Sequence, residues 1–334
     1  EAGNIIMRKP ATPGYEDKPG VILQAHMDMV CEKNNDTVHD FDNDPIHTYI
    51  DGDFIKAQGT TLGADNGIGM ALMLAAITSD TLKHPALECL FTVDEETGLT
   101  GAFRLQDGCL NGKQLINLDS EDDGQVFIGC AGGIDTLAKM HYSPIALSPN
   151  SHLAIHLKVG GLMGGHSGDD INKGRGNANK ILVRFLYQVM QATDMQLATI
   201  NGGNLRNAIA REAEAVIAIP MAYKEDIRVM LNHYIATIEA EIGDVEKDFF
   251  MHLETTDMPA LFVPADKAKV LIQALYACPH GMTAMSKTMP GLVETSTNLA
   301  SVKMKEDEKG AFVEINTSQR SSIESKKHDI KQMV

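Results

Sequence analysis

The chain has 334 residues, 43% of them apolar, and a formal net charge of −16 at pH 7. That length predicts about two domains with ordinary hydrophobic cores, and the negative charge argues against nucleic acid or an anionic membrane surface as a partner. Five widely spaced cysteines (Cys31, Cys89, Cys109, Cys130, Cys278), with no CxxC pair, fit neither a disulfide framework nor a cysteine-type zinc site.

Those thiols read as buried and free in a reducing compartment, which predicts the cytoplasm. No apolar run approaches the ~18–20 residues that span a bilayer, and no signal-peptide pattern opens the chain. The opening, Glu1 to Met7, reads as a strand already under way, from which we expect an N-terminal segment to be missing.

In chain order, 10-PATPGYEDKPG-20 is a turn rich in Pro and Gly that leads into an apolar strand, 21-VILQAHMDMV-30, ending in His26 and Asp28. Residues 31–60 read as a long polar loop with a small hairpin at 48–57, turned by Asp51-Gly52. Loops this long often border functional sites. The segment 61-TLGADNGIG-69 turns into a helix over 68–78 that is apolar on nearly every side, hence buried on several. Asp65, just before that helix, reads by itself as an N-cap. Strand 87–93 runs into 94-DEETG-98, and strand 114–120 ends in Asp119, beyond which Glu121, Asp122 and Asp123 read as solvated surface.

Each of these four segments alone has an ordinary structural explanation. Together they discharge one imidazole and five carboxylates (His26, Asp28, Asp65, Glu95, Glu96, Asp119) at the ends of apolar strands or turns. A parallel sheet gathers such ends on one rim. The crowding of like charges there would be severe without a cation. Mixed His and carboxylate donors suit Zn²⁺, and Mn²⁺ or Co²⁺ can take the same ligands.

The second half changes character. The glycine-rich 129-GCAGGID-135 reads as a crossover out of the first domain. Strands are predicted over 151–160, 213–219, 292–304 and 311–319, and helices over 176–193, 223–241, 265–277 and 321–333. Segregated in this way, they suggest an α+β domain. His166 lies in a glycine-rich loop, Asn207 follows a Gly-Gly turn, and Arg320 ends a strand. Taken alone, the last two are better explained by turn chemistry and a surface guanidinium than by function.

The segments HMDMV, GADNG, DEETG and NLDSE, followed by GGHSG and NLRNAI, resemble the M20 family of metallopeptidases. The surrounding text (NNDTVHDF at 34–41, TTLGADNGIGMA at 60–71, GCAGGID at 129–135, GNANKILVRFL at 176–186) is similar to its aminoacyl-histidine dipeptidase branch. The resemblance covers nearly the whole chain. It implies a zinc-exopeptidase-like α/β catalytic domain with a mostly parallel sheet (1–132) and an α+β lid or dimerisation domain (133–334).

The implied activity is hydrolysis of Xaa-His and related dipeptides at two divalent metal ions. By that resemblance, Asp65 bridges the ions, His26 and Asp119 complete one, and Glu96 binds the other. Asp28 orients and polarises His26, and Glu95 is the general base. His166 stabilises the oxyanion, while Asn207 and Arg320 hold the substrate's backbone and carboxylate. The family also uses a histidine from a C-terminal return of the catalytic domain. None of the twelve histidines here has that context, so this return is expected to be absent from the sequence and the second ion's ligand set incomplete. Pairing of the lids into a homodimer is left open. The rival readings are another M20 hydrolase (an N-acyl amino acid deacylase or a tripeptidase-like enzyme) and a degenerate, non-catalytic metal-binding homologue.

Overall fold

The structure is a computed structural model and describes residues 2–33, 37–120, 124–147 and 151–334. The surface reading of Glu121–Asp123 and the start of the opening strand at Glu1 lie outside the described residues. Internal contacts divide the chain into two units, 1–128 and 129–334, against the boundary at 132/133 expected from the sequence.

The first unit runs β1 (Ile5–Lys9), β2 (Val21–His26), β3 (Thr48–Asp51), β4 (Phe54–Ala57), α1 (Ala64–Thr78), β5 (Leu87–Thr92), α2 (Glu95–Gly98), α3 (Thr100–Phe103) and β6 (Gln114–Asn117). Its main sheet has the order β1-β5-β2-β6. β2 pairs parallel with both β5 and β6, and β1 joins antiparallel to β5. The sheet is therefore mostly parallel with one antiparallel edge. β5, Leu-Glu-Cys-Leu-Phe-Thr, is buried along its whole length, as a strand paired on both sides should be. β3 and β4 form the separate hairpin turned at Asp51-Gly52.

The parallel arrangement has one consequence for chemistry. The carboxyl ends of β5, β2 and β6 share an edge, and the segments carrying Glu95, His26 and Asp119 leave the sheet there. α1 begins at the same end of the unit, with Asp65 in its first turn beside His26. Its helical dihedrals are interrupted at Asp65 and Asn66. Asp65 is thus part of the irregular first turn, and the capping position falls on Gly63, whose φ of +76° suits glycine.

The second unit contains β7 (Gly132–His141), β8 (His152–Gly160), α4 (Ala178–Ala192), β9 (Gln196–Gly202), β10 (Ala213–Pro220), α5 (Lys224–Ile242), β11 (Phe250–Thr255), α6 (Ala265–Ala277), β12 (Gly281–Met285), β13 (Val293–Asp307), β14 (Gly310–Ser321) and α7 (Glu324–Met333). Its sheet runs β11-β8-β10-β9-β13-β14-β7, with β12 on β13, and every pairing is antiparallel. The expected crossover at 129–135 is in fact the start of β7, whose Gly132 and Gly133 pair with Ser321 and Arg320.

One continuous core joins the strands to α4, α5 and α6 through Leu157, Leu182, Phe185, Leu186, Ile217, Ile227 and Leu271. α4 presents Leu182, Phe185 and Leu186 at helical spacing, and Asn177 caps it by accepting the Lys180 N–H. Among the described residues no helix is long and apolar enough to cross a membrane.

Candidate functional site

His26 is almost wholly buried at the end of β2, and both ring nitrogens face oxygen. Nδ1 lies 2.8 Å from the Asp28 carbonyl oxygen, while Nε2 lies 2.9 Å from Asp65 Oδ1 and 3.2 Å from Asp119 Oδ1. Burial alone would pull the His26 pKa down. The hydrogen bond to Asp65, the charge of Asp119 and the Asp28 carbonyl outweigh it, and the net shift is upward. The environment of Nε2 therefore calls for positive charge, either a proton or a metal ion.

The Asp28 carboxylate was expected to polarise the imidazole, but it is engaged elsewhere. Its nearest approach to Nδ1 is 3.6 Å, which is too long for a hydrogen bond. Its two oxygens instead accept the N–H groups of Glu95 and Glu96, each at 3.0 Å. Burial pushes its pKa up, but those two amides win and hold it below the usual carboxylate range. The ring is oriented by the Asp28 carbonyl, and the carboxylate pins the glutamate turn. Asp94 supports that turn in the left-handed region, φ +59°, with its carboxylate accepting the hydroxyls of Thr97 and Thr100.

Glu95 and Glu96 both reach inward. One donor atom from each of His26, Glu95 and Glu96 lies within 4.8 Å of the others, and the same holds for His26, Asp65 and Asp119. Burial first, then Asp119, raises the Glu95 pKa; burial first, then Asp65, raises that of Glu96. Asp119 is raised too, by burial and then by Asp65, despite His26.

Asn66, which sequence reasoning passed over, steadies this cluster. It is buried, donates from Nδ2 to Asp119 Oδ1 at 2.7 Å, and accepts the Gly69 N–H at 3.1 Å. Its only signal was its position within GADNG.

The donor set suits a divalent ion. Four ligands at about 2.1 Å in a tetrahedron stand roughly 3.4 Å apart, and the separations of His26 Nε2 from Asp65 (2.9 Å) and Asp119 (3.2 Å) lie just inside that spacing. Carboxylates this crowded, with pKa values displaced upward, are relieved by a cation.

In the second unit, three other predicted residues are brought together. Residues 165–167 lie beside 207–209 through Ile209 N–H to Gly165 O (2.8 Å) and Ser167 N–H to Asn207 O (2.7 Å), with His166 bridging Ala208. The Asn207 side chain is exposed at this ladder. His166 Nδ1 sits 2.9 Å from Asp169 Oδ2, and Arg320 donates from Nη2 to His166 Nε2 at 3.3 Å. Among the described residues, no carboxylate pairs with Arg320 and its buried Nε has no partner.

The loop holding His166 is braced from two sides. Asp170 accepts the His166 N–H at 2.8 Å and pairs with Lys173 (2.7 Å) and Arg175 (3.0 Å). Gly165 has a φ of +130°, a conformation that favours glycine, and a Cβ there would also press on the Asp170–Arg175 ion pair. Glu246, buried just after α5, accepts Met163 N–H and Gly176 N–H, both at 2.8 Å. Asp169 and Asp170 were visible in the segment GGHSGDD. Glu246 had no local signal, because it acts from a distant part of the chain.

Comparison with known proteins bears on this geometry. Residues 157–246, within the second unit, match the family described as the Peptidase dimerisation domain, M20_dimer. Over 334 residues the chain is 44% identical to the cytosol non-specific dipeptidase of Escherichia coli (strain K12), covering 100% of this chain and 68% of that protein. The crystal structure of the aminoacylhistidine dipeptidase from Vibrio alginolyticus is also 44% identical. It aligns with a TM-score of 0.75, covering 99% of this chain and 67% of that one. With its rim of histidine and carboxylates, its all-antiparallel second unit and these similarities, the chain belongs to the M20 family of peptidases.

Proposed function

We propose that the chain is a metal-dependent dipeptidase acting on Xaa-His and related dipeptides. The observation that carries this is the convergence of His26, Asp65 and Asp119 within hydrogen-bonding distance, beside the glutamate pair pinned by Asp28. The two relatives named as dipeptidases support the substrate class.

In this reading His26, Asp65 and Asp119 hold one divalent ion, and Asp65 and Glu96 hold another, with Zn²⁺ the best match and Mn²⁺ or Co²⁺ able to replace it. Bound there, such ions supply Lewis-acid activation of water and of the scissile carbonyl. Glu95 takes the proton from the attacking water and delivers it to the leaving amine. Asp28 keeps Glu95 and Glu96 at their stations by accepting their amides, and its carbonyl fixes the His26 ring.

His166 donates to the developing oxyanion. Arg320, a half-buried cation with no anionic partner among the described residues, takes the substrate's carboxylate, and the exposed Asn207 its backbone. The match to a dimerisation domain supports pairing of two copies through the second unit. Free cysteines, and a relative named for the cytosol, support a cytoplasmic setting.

The test is hydrolysis of β-Ala-His set against that of N-acetyl amino acids, with Zn²⁺, Mn²⁺ or Co²⁺ supplied. The dipeptide should be the better substrate, and Glu95→Ala should lower its turnover by ~10²–10⁴-fold. Preference for the N-acetyl compounds would make the chain a deacylase. Unchanged turnover in Glu95→Ala would remove the mechanism.

A further inference from the structure

The surroundings of His166 fix more than its position. Nδ1 faces the Asp169 carboxylate at 2.9 Å, an acceptor that requires a proton on Nδ1. Nε2 faces Arg320 Nη2 at 3.3 Å, and a guanidinium has donors only. The contact is therefore a hydrogen bond only if Nε2 bears a lone pair. Both constraints select one form of the ring, neutral and protonated on Nδ1. In that form His166 cannot donate from Nε2, and its only N–H is already committed to Asp169.

Arg320, by contrast, is weakly held. Its Nε is buried without a partner among the described residues, no carboxylate neutralises it, and its bond to the imidazole is long. A carboxylate offers a guanidinium a stronger, charge-assisted and bidentate partner than a neutral imidazole does.

We propose that Arg320 and Asp169 make His166 a specificity-determining group. Arg320 holds Nε2 as an acceptor until a substrate's free carboxylate draws the guanidinium away. Nε2 then takes a proton from solvent, and the resulting imidazolium, steadied by Asp169 on Nδ1, becomes a donor. Asp169 is a positioning residue in this scheme, since it acts through His166. Among the described residues, the charged groups in contact with the ring nitrogens are Asp169 from its own loop and Arg320 from β14, while Asp170 holds the His166 backbone N–H. The device ties donation by His166 to recognition of a C-terminal carboxylate, so peptide amides would bind without completing the donor. It rests on the dipeptidase reading for the identity of the ligand, but the state of the free ring does not.

The experiment is ¹⁵N NMR of the histidine rings in the full chain, with His166 assigned by His166→Gln. The expected free-state signal is the Nδ1–H tautomer, and an Nε2–H tautomer overturns the proposal. A Gly-Gly analogue with a reduced peptide bond should convert the signal to the doubly protonated form, while its C-terminal amide should not. An unchanged spectrum with the acid, or an equal response to both, overturns it as well. In hydrolysis, Asp169→Ala should lower kcat for a dipeptide by ~10-fold or more with KM within about twofold, whereas a purely structural role would move stability and KM together. Loss of all dipeptide hydrolysis in the wild-type chain, with the ring responding as expected, would sink the dipeptidase reading and leave this one standing.

Discussion

The two units solve different problems. The second is built around one continuous apolar core in which the large side chains of α4, α5, α6 and the central strands are closed off from water. Among the described residues the first has a smaller cluster of Ala25, Met73, Cys89 and Phe91, and because the chain spans about two thirds of the length of the relatives it matches, the exposure of β6 and of Ile68, Leu72 and Leu74 on α1 is that of this sequence taken alone. Its densest polar feature is a knot of carboxylates around one histidine. Apolar burial carries the second unit, while charge and hydrogen-bond satisfaction carry the working edge of the first. A perturbation should therefore strike the two unequally.

The largest expected effect is in the second core. Phe185→Ala removes a fully buried ring from α4 and should cost about 3–5 kcal/mol, read by denaturant unfolding. Leu72→Ala, on the exposed side of α1, should stay within about 0.5 kcal/mol. Next comes metal. At a concentration about a hundredfold above Kd, divalent metal should stabilise the first unit by roughly 2.7 kcal/mol. Amide exchange should show chelation loosening β2, β5 and the glutamate turn while α4 and β10 keep their protection, and equal loosening of both units would erase the contrast.

Glu246→Ala should cost about 2 kcal/mol by leaving the amides of Met163 and Gly176 without their acceptor. The exchange should quicken across 163–176 while the first unit stays unaffected. The smallest effect is a pH dependence in the first unit. Burial pushes the Glu88 carboxyl up, but the Gly112 and Asn111 amides and Arg8 hold its folded pKa below the ordinary value. A depressed carboxylate stabilises the fold above the unfolded pKa of about 4.3, and that contribution is lost as pH falls through the lower folded value. Glu88→Gln should flatten that acid limb, read as a smaller loss of stability between neutral and acid pH than in the unmodified chain.

The sequence was most informative where periodicity and chemistry coincided. β2, β5 and β6 each pair an apolar run with an acid or imidazole at its end, so both the strands and the site could be read together. β12, Gly281–Met285, has few β-forming side chains and exists because β13 offers it an edge. β7 was masked by its glycines, which look like a turn but pair in register with β14. Within the site, residue types were legible and directions were not. Nothing in HMD reveals that the Asp28 carboxylate turns to the glutamate amides and leaves its carbonyl to the ring. Partners far apart in sequence, such as Glu246 and Met163, are invisible to local pattern because only the folded chain brings them together.

The Glu246 clamp also bears on timing. It joins positions 83 and 70 residues apart, so this brace of the loop carrying His166 is added only once the chain beyond α5 is in place, after the nearer contacts to Asp170 and to 207–209. Contacts of such sequence separation arrive late, because the entropy of closing the intervening chain must be met first. A ribosome-bound chain that has emerged only through β10 would carry His166 and Asp169 on a loop that still lacks the Glu246 brace. The last brace on the donor of the second unit is thus added after the strands that flank it.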